Sequence, residues 1–116
     1  MGSAFVLARQ QKHPVGCGAI RRLRGNVAEV RRIFVQPEAR GLGIGARILA
    51  ELEIVARVLG YTRMRLATGL RQPAAIRLYE KAGYQRIALY GRYRGNPFIV
   101  CFQKSLEPTG AYGGKL

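Results

Sequence analysis

Three glycines at alternate positions, Gly41, Gly43 and Gly45, stand where the hydrophobic pattern of this chain changes period. Upstream, Val27–Val35 is an apolar-rich run of strand type, ended by Pro37, which has no N–H to give to a ladder. Downstream, from Gly43 to about Leu59, residues Ile44, Ile48, Leu52, Val55 and Leu59 recur on one face of a helix. Leu49 and Ala56 lie beside them, and Glu51, Glu53 and Arg57 fall mostly outside the stripe. A strand, a glycine-rich turn and a long amphipathic helix in succession require a fold that mixes sheet and helix. The turn also has a chemistry. The first N–H groups of a helix lack intrahelical partners, and glycines let an anion approach them closely. Arg40 adds a permanent charge and a fork of donors suited to phosphate. No Lys-Ser/Thr follows, as a Walker loop needs, and the GxGxxG spacing of a dinucleotide fold is absent.

The rest of the chain reads as short elements. Ala4–Gln10 is an apolar run with a polar end, and Val15–Arg24 and Val27–Val35 flank Gly25-Asn26, a connection of hairpin type. Simple two-residue register pairs Arg24 with Val27, Arg22 with Glu29 and Ile20 with Arg31. One face then carries Ile20, Arg22, Glu29, Arg31 and Ile33; the other carries Leu23, Ala28, Val30 and Phe34 with Arg21 and Arg32. Neither face is cleanly polar, which predicts a sheet with helices on each side. Gly60 stops the long helix, and Met64–Thr68 is a strand. Gln72–Ala82 is a second helix, with Pro73 in its first turn and Gly83 past its end. Tyr84–Tyr90 and Phe98–Lys104 are two further strands. The order is β-β-β-α-β-α-β-β, a mixed α/β (α+β) fold.

With 116 residues there is room for one domain, 1–116, with 109–116 as a C-terminal tail that is flexible by composition unless a subunit interface holds it. The net charge is +14, built from 16 Arg and 4 Lys against six acids, all Glu. Such a balance favours anionic partners, phosphate-bearing ligands and nucleic acid among them. No run of five or more like charges supports a basic binding arm. Without Asp there is no Ser-His-Asp triad, and one His (His13) with two distant cysteines, Cys17 and Cys101, builds no zinc site. Both cysteines sit in strand-like runs and are expected as buried free thiols. No apolar run is long enough to span a membrane and no secretory signal is visible, so the expected location is cytoplasmic.

Arg40-x-x-Gly43-x-Gly45 resembles the acyl-CoA pyrophosphate loop of the GNAT N-acetyltransferase superfamily, whose pattern is Q/R-x-x-G-x-G/A. Thr68-Gly-Leu-Arg-Gln-Pro-Ala-Ala-Ile-Arg-Leu-Tyr-Glu-Lys-Ala-Gly-Tyr84 resembles that family's second signature, in the family's order and spacing. The resemblance covers Ala4 to Leu106. It implies a mostly antiparallel sheet flanked by two main helices, acetyl-CoA (coenzyme A) as cofactor, and acetyl transfer to a primary amine by direct attack in a ternary complex. It further implies that Ile33, Phe34 and Val35 bond the pantetheine arm through their backbone. Arg40 and Gly41, with the amides of Leu42, Gly43, Ile44, Gly45 and Ala46, would hold the pyrophosphate. Tyr79 matches the tyrosine that returns a proton to the leaving thiolate; a core aromatic is the other reading of it. Gln72 stands where relatives carry Asn, to contact the pantetheine or cap the helix. Glu29 is the candidate base, acting directly or through water, or else a salt-bridge partner of Arg22.

The resemblance leaves differences. Relatives begin with a strand and two helices ahead of the matched region, and few residues precede Pro14 here. The acceptor groove is then open, or a second subunit supplies its wall, or the chain binds cofactor with little catalysis. The remaining wall is the loop Tyr90–Pro97, where Tyr90, Arg92, Tyr93 and Arg94 are the candidate acceptor contacts; Arg92 and Arg94 clamp an anion or are solvated. Partners expected are an acyl-CoA, an unidentified amine and, from the short start, a homodimer. The alternative is a basic module for nucleic acid or an acidic partner, or an acyl-CoA sensor, on the same scaffold.

Overall fold

The structure, a computed structural model, describes residues 2–106, so the expectations for the tail 109–116 lie outside the described residues. The elements are β1 (Ala4–Gln10), β2 (His13–Arg24), β3 (Val27–Val35), α1 (Ile44–Val58), β4 (Arg63–Gly69), α2 (Pro73–Lys81), β5 (Gln85–Ile87) and β6 (Ile99–Ser105). Single 3-10 turns occupy Pro37–Ala39 and Gly91–Tyr93. The order is the expected one, with one strand shorter than the span Tyr84–Tyr90. Tyr84 is drawn into the end of α2, where its N–H bonds the Tyr79 carbonyl at 3.0 Å. Tyr61 closes α1 in the same way, on the Ala56 carbonyl at 3.0 Å.

One six-stranded sheet runs β1-β2-β3-β4-β6-β5. Every neighbouring pair is antiparallel except β3 and β4. Those two are parallel and pair only at Val27↔Arg63, Ala28↔Met64 and Glu29↔Arg65. Beyond Glu29 and Arg65 they continue, to Val35 and Gly69, without pairing each other. The sheet is split there into a V whose fork is Glu29.

Both helices pack on one face, which corrects the expectation of a helix on each side. Ile20, Ala28 and Val30 of the hairpin, Ile48, Leu49 and Leu52 of α1, and Tyr79 of α2 belong to one buried cluster with Leu66 and Phe102. α1 lies close on β2: a Cβ on Gly18 would stand 2.6 Å from Ile48 and 2.9 Å from Leu52. The apolar residues on both sides of the hairpin have a different cause. Its register is bulged twice, once in each strand. Leu23 is the extra residue in β2 and Arg31 in β3, so between them Ile20 meets Val30, Arg21 meets Glu29 and Arg22 meets Ala28. The second bulge restores the simple register at Ala19↔Arg32. Through the bulges Val30 and Ile33 both reach the helix side, and the pairing of Arg22 with Glu29 is replaced by Arg21 with Glu29. Among the described residues no helix covers the opposite face. That face carries Glu29 and Arg65, and also Phe5, Leu7 and Phe34, which are exposed.

Candidate active site

The end of β3, the turn that follows it, the start of α1 and one side of α2 line a cleft of about 420 Å³. From β3 it takes Ile33, Phe34 and Val35, and from the turn Arg40, Gly41, Gly43, Ile44 and Gly45; Gln72 and Tyr79 close it from α2. These are most of the residues that the sequence put forward for the cofactor. Leu42 and Ala46 are not in the lining, and the Leu42 side chain borders a different hollow beside Val6 and Arg47. The part expected of them belongs to their backbone amides, which side-chain direction leaves untouched.

The cleft fits an acyl-CoA on three counts. First, α1 begins without a side-chain cap: its N-cap is Gly43, at φ +78°, so the leading amides have no side-chain acceptor. Gly41 is also left-handed, at φ +83°, and a Cβ on either glycine would meet nothing within 4 Å, so the space over the loop is open. Second, β3 presents backbone beyond Glu29 that β4 does not pair, an edge on which an extended ligand arm can add as a strand. Third, Arg40 lines the cleft beside the start of α1, where an anion would meet the leading amides. Its Nε donates to the Val35 carbonyl at 3.0 Å and its guanidinium lies 6.0 Å from the Phe34 ring, which holds its terminal N–H groups at the loop.

Tyr79 lies on the wall of this cleft with its ring 6.1 Å from Tyr84 and 6.2 Å from Phe102. Burial pushes its phenol pKa up, so it holds a proton at neutral pH. It is both a core aromatic and a cleft residue. Its hydroxyl is not sealed off: among the described residues, the one fully buried side-chain polar atom without a partner is Nε of Arg57. Gln72 is the N-cap of α2 but makes no side-chain capping bond, which leaves its amide for the cleft.

At the fork, Glu29 is 2% exposed and well occupied. Oε1 accepts from Arg31 Nη1 at 2.9 Å and from Arg21 Nε at 3.4 Å, and Oε2 accepts from the Tyr90 hydroxyl at 2.6 Å. Burial and this bond to Glu29 push the Tyr90 phenol far above its ordinary range. The Glu29 hydrogen bond likewise raises Arg31. The guanidinium of Arg65 lies 5.6 Å over the Tyr90 ring and donates to Gln103 at 2.7 Å. Tyr93 meets Tyr90 edge to face at 5.5 Å, and Arg92 lies 5.2 Å over Tyr93 and bonds its hydroxyl at 3.2 Å. Arg94 is exposed at the end of the turn. The loop is thus clasped onto the sheet through Glu29, with Arg92 spent on Tyr93.

Several participants escaped the sequence reading. Ala39, Ala74, Ala75 and Leu78 line the cleft; a Cβ on Gly45 would come 3.4 Å from Leu78, so the two helices nearly touch there. The i, i+4 spacing of Ala74 and Leu78 on α2 is the available signal. Arg21 was hidden by the bulge at Leu23, which no local pattern announces. Of the two cysteines, Cys101 is buried and Cys17 half-buried. No helix of the described residues is long and apolar enough to cross a membrane.

Residues 2–84 match the acetyltransferase (GNAT) family. An IAA acetyltransferase of Azospirillum brasilense is 41% identical over 103 residues, covering 88% of this chain and 67% of that protein. The N-alpha-acetyltransferase RimI of Mycobacterium tuberculosis is 38% identical over 92 residues, covering 77% of this chain and 56% of that protein. A solved structure from Klebsiella pneumoniae, of a protein provisionally described as an acyl-CoA N-acyltransferase, superposes with a TM-score of 0.86. It is 35% identical and covers 90% of this chain and 73% of its own. The N-acetyltransferase PaiA of Thermoplasma acidophilum, solved with coenzyme A, shares the fold with a TM-score of 0.78 at 21% identity, over 90% of this chain and 62% of its own. The chain belongs to the GNAT acetyltransferase family. It spans about two thirds or less of the length of both curated relatives named here.

Proposed function

We propose that the protein is an acetyl-CoA-dependent N-acetyltransferase that acts on a primary amine in a ternary complex. The observation that carries this reading is the end of β3–β4 pairing at Glu29 and Arg65, directly beside an uncapped helix start. Acetyl-CoA supplies a thioester whose carbonyl carbon bonds to the amine nitrogen while its C–S bond breaks. The backbone of Ile33, Phe34 and Val35 holds the pantetheine arm like an added strand, and the amides from Leu42 to Ala46 with Arg40 hold the pyrophosphate. Gln72 steadies the arm from the start of α2. Tyr79, protonated because it is buried, gives its hydroxyl proton to the departing sulfur and regains one from water in the cleft.

Glu29 has its oxygens largely taken by Arg21, Arg31 and Tyr90, so its part is indirect. It fixes the acceptor loop, and its remaining lone pair orients a water that receives the proton lost by the amine. Tyr90, Tyr93, Arg92 and Arg94 form the loop against which the acceptor rests. The same reading makes the protein a cytoplasmic one and permits a homodimer, which sedimentation tests. The chemical assignment is tested by CoA release with an amine panel, comparing Tyr79→Phe with the unaltered protein. The expected loss in kcat is about 10²–10⁴-fold, with acetyl-CoA affinity unchanged. Unchanged turnover would remove Tyr79 from the mechanism.

A further inference from the structure

We propose that the amine accepted here carries its own anionic group, a carboxylate or a phosphate, which seats on the free guanidinium edges of Arg21 and Arg31 at the helix-free face. The proposal rests on the acetyltransferase reading and narrows it to a class of acceptor.

The helix-free face is cationic beyond what its own pairing uses. Strand alternation puts Arg21, Arg31, Arg32, Arg63 and Arg65 on it, against one acid, Glu29. Glu29 is buried and already engaged by two of the five. The other described acids lie elsewhere: Glu38 in the turn after β3, Glu51 and Glu53 on α1, Glu80 on α2. An ion pair built for stability needs one cation for one carboxylate. Here a single oxygen, Oε1, holds both Arg21 and Arg31, and the side chains of these two are 50% and 33% exposed. Each guanidinium spends one N–H on Glu29, and that of Arg31 a further one on the Tyr93 hydroxyl, which leaves the remaining N–H groups of both for a ligand. Because Glu29 pins both, little side-chain freedom is lost when an anion arrives, and two fixed forks match the oxygens of one carboxylate or phosphate.

The position also serves the chemistry. Glu29 marks the fork at which β3 and β4 part, so an anion held beside it leaves an attached amine directed at the opening through which the acyl group is reached. Tyr90, bonded to Glu29, and Tyr93, packed edge to face on Tyr90, border the same spot. A polyanion is a poorer fit, because the two pinned arginines converge on one point instead of tracking a backbone. A cationic acceptor, such as a polyamine, would face repulsion from the whole surface.

Calorimetry and CoA release decide it, using matched amines on the CoA-loaded protein: ethanolamine phosphate against ethanolamine, and phenylalanine against phenylalaninamide. The anionic member of each pair is expected to bind and react at least about tenfold better, an advantage carried by KM. One arm preferring phosphate and the other carboxylate identifies the source of the anion. Arg31→Gln and Arg21→Gln should each erase most of that preference while acetyl-CoA affinity stays unchanged, and Arg31→Lys should restore part of it. Stability measured in parallel separates this from a folding defect: a purely structural role lowers the melting temperature without altering the ratio within a pair. Equal use of both members, no binding by either, a preference that survives both substitutions, or tighter capture of a single-stranded oligonucleotide than of any anionic amine would overturn the proposal. If the amines behave this way wrongly while acetyl-CoA binds, only the acceptor class falls; if acetyl-CoA does not bind, the enzymatic reading falls with it.

Discussion

Glu53 on α1 and Glu29 on β3 are the two buried carboxylates among the described residues, at 6% and 2% exposure, and each accepts a tyrosine hydroxyl. Their surroundings then diverge. Glu53 takes the Tyr84 hydroxyl at 2.9 Å and the Lys104 ammonium at 3.0 Å, and Lys104 also donates to the Ala82 carbonyl at 2.8 Å. Among the bonded groups one negative charge meets one positive charge, with Arg57 one helical turn away on α1, and the bonds tie α1, the end of α2 and β6 together. Glu29 meets two arginines and a loop tyrosine at the fork of a split sheet, with positive charge left over and open to solvent. The same chemical parts therefore serve two ends. A balanced, enclosed network holds elements in place, whereas an unbalanced one at an opening offers its surplus to a ligand.

Removing the carboxylates tests that contrast most severely. Glu53→Ala leaves a lysine and a phenol without their partner, and should cost about 3–5 kcal/mol in denaturant unfolding, with acetyl-CoA affinity of the folded protein unchanged. Tyr84→Phe deletes one bond to a charged acceptor and should cost about 2 kcal/mol by the same measurement, again without a kinetic effect. Tyr90→Phe should cost less, about 1.5 kcal/mol, because its loop stands nearer to water, yet it should raise the acceptor KM by freeing the loop. Glu29→Gln should be mildest for stability, about 1 kcal/mol, since half-exposed Arg21 and Arg31 rehydrate readily, while turnover falls. If Glu29→Gln proves as destabilising as Glu53→Ala and kinetically silent, the division between the two sites is wrong.

A further effect is one of pH and is read as a slope. Tyr84 is held protonated in the fold by burial, reinforced by Glu53, so its folded pKa lies above the ordinary value of 10.0. Its contribution is complete below pH 10 and is lost as pH rises further, because the unfolded chain releases that proton first. The expected slope is about 1.4 kcal/mol per pH unit above 10 for this residue. Tyr84→Phe should flatten the alkaline limb by that amount, and Tyr90→Phe, whose phenol is likewise raised by burial and by Glu29, by a similar one.

Much of the fold was legible because it depends on short-range spacing. Alternate glycines after a strand and before a 3.6-residue repeat placed the loop, and Pro73 and Gly83 bounded the second helix. That most of the residues proposed for the cofactor line one cleft follows from the same local signals. The acceptor side did not. Its geometry hangs on two bulges, at Leu23 and Arg31, that shift the partner of Glu29 from Arg22 to Arg21. Helical periodicity put Glu53 outside the apolar stripe, but it is buried by partners 31 and 51 residues away in sequence. The bond from Tyr90 to Glu29 spans 61 residues. Contacts of that range are decided by how the sheet twists and pairs, and no window of sequence contains them. The excess of positive charge is partly accounted for, since five of the arginines share the helix-free face.

The central claim is that the split between β3 and β4, with the loop from Arg40 to Gly45, is an acyl-CoA cleft. Titrating acetyl-CoA into the protein by calorimetry tests it directly, with Gly43→Trp as the blocked form. One site with a Kd of about 1–100 μM is expected in the unaltered protein. Gly43→Trp should lose it while still folding by circular dichroism, at a melting temperature lowered by the strain of a side chain at φ +78°. Absence of binding to the unaltered protein at millimolar acetyl-CoA, or equal binding by Gly43→Trp, would contradict it.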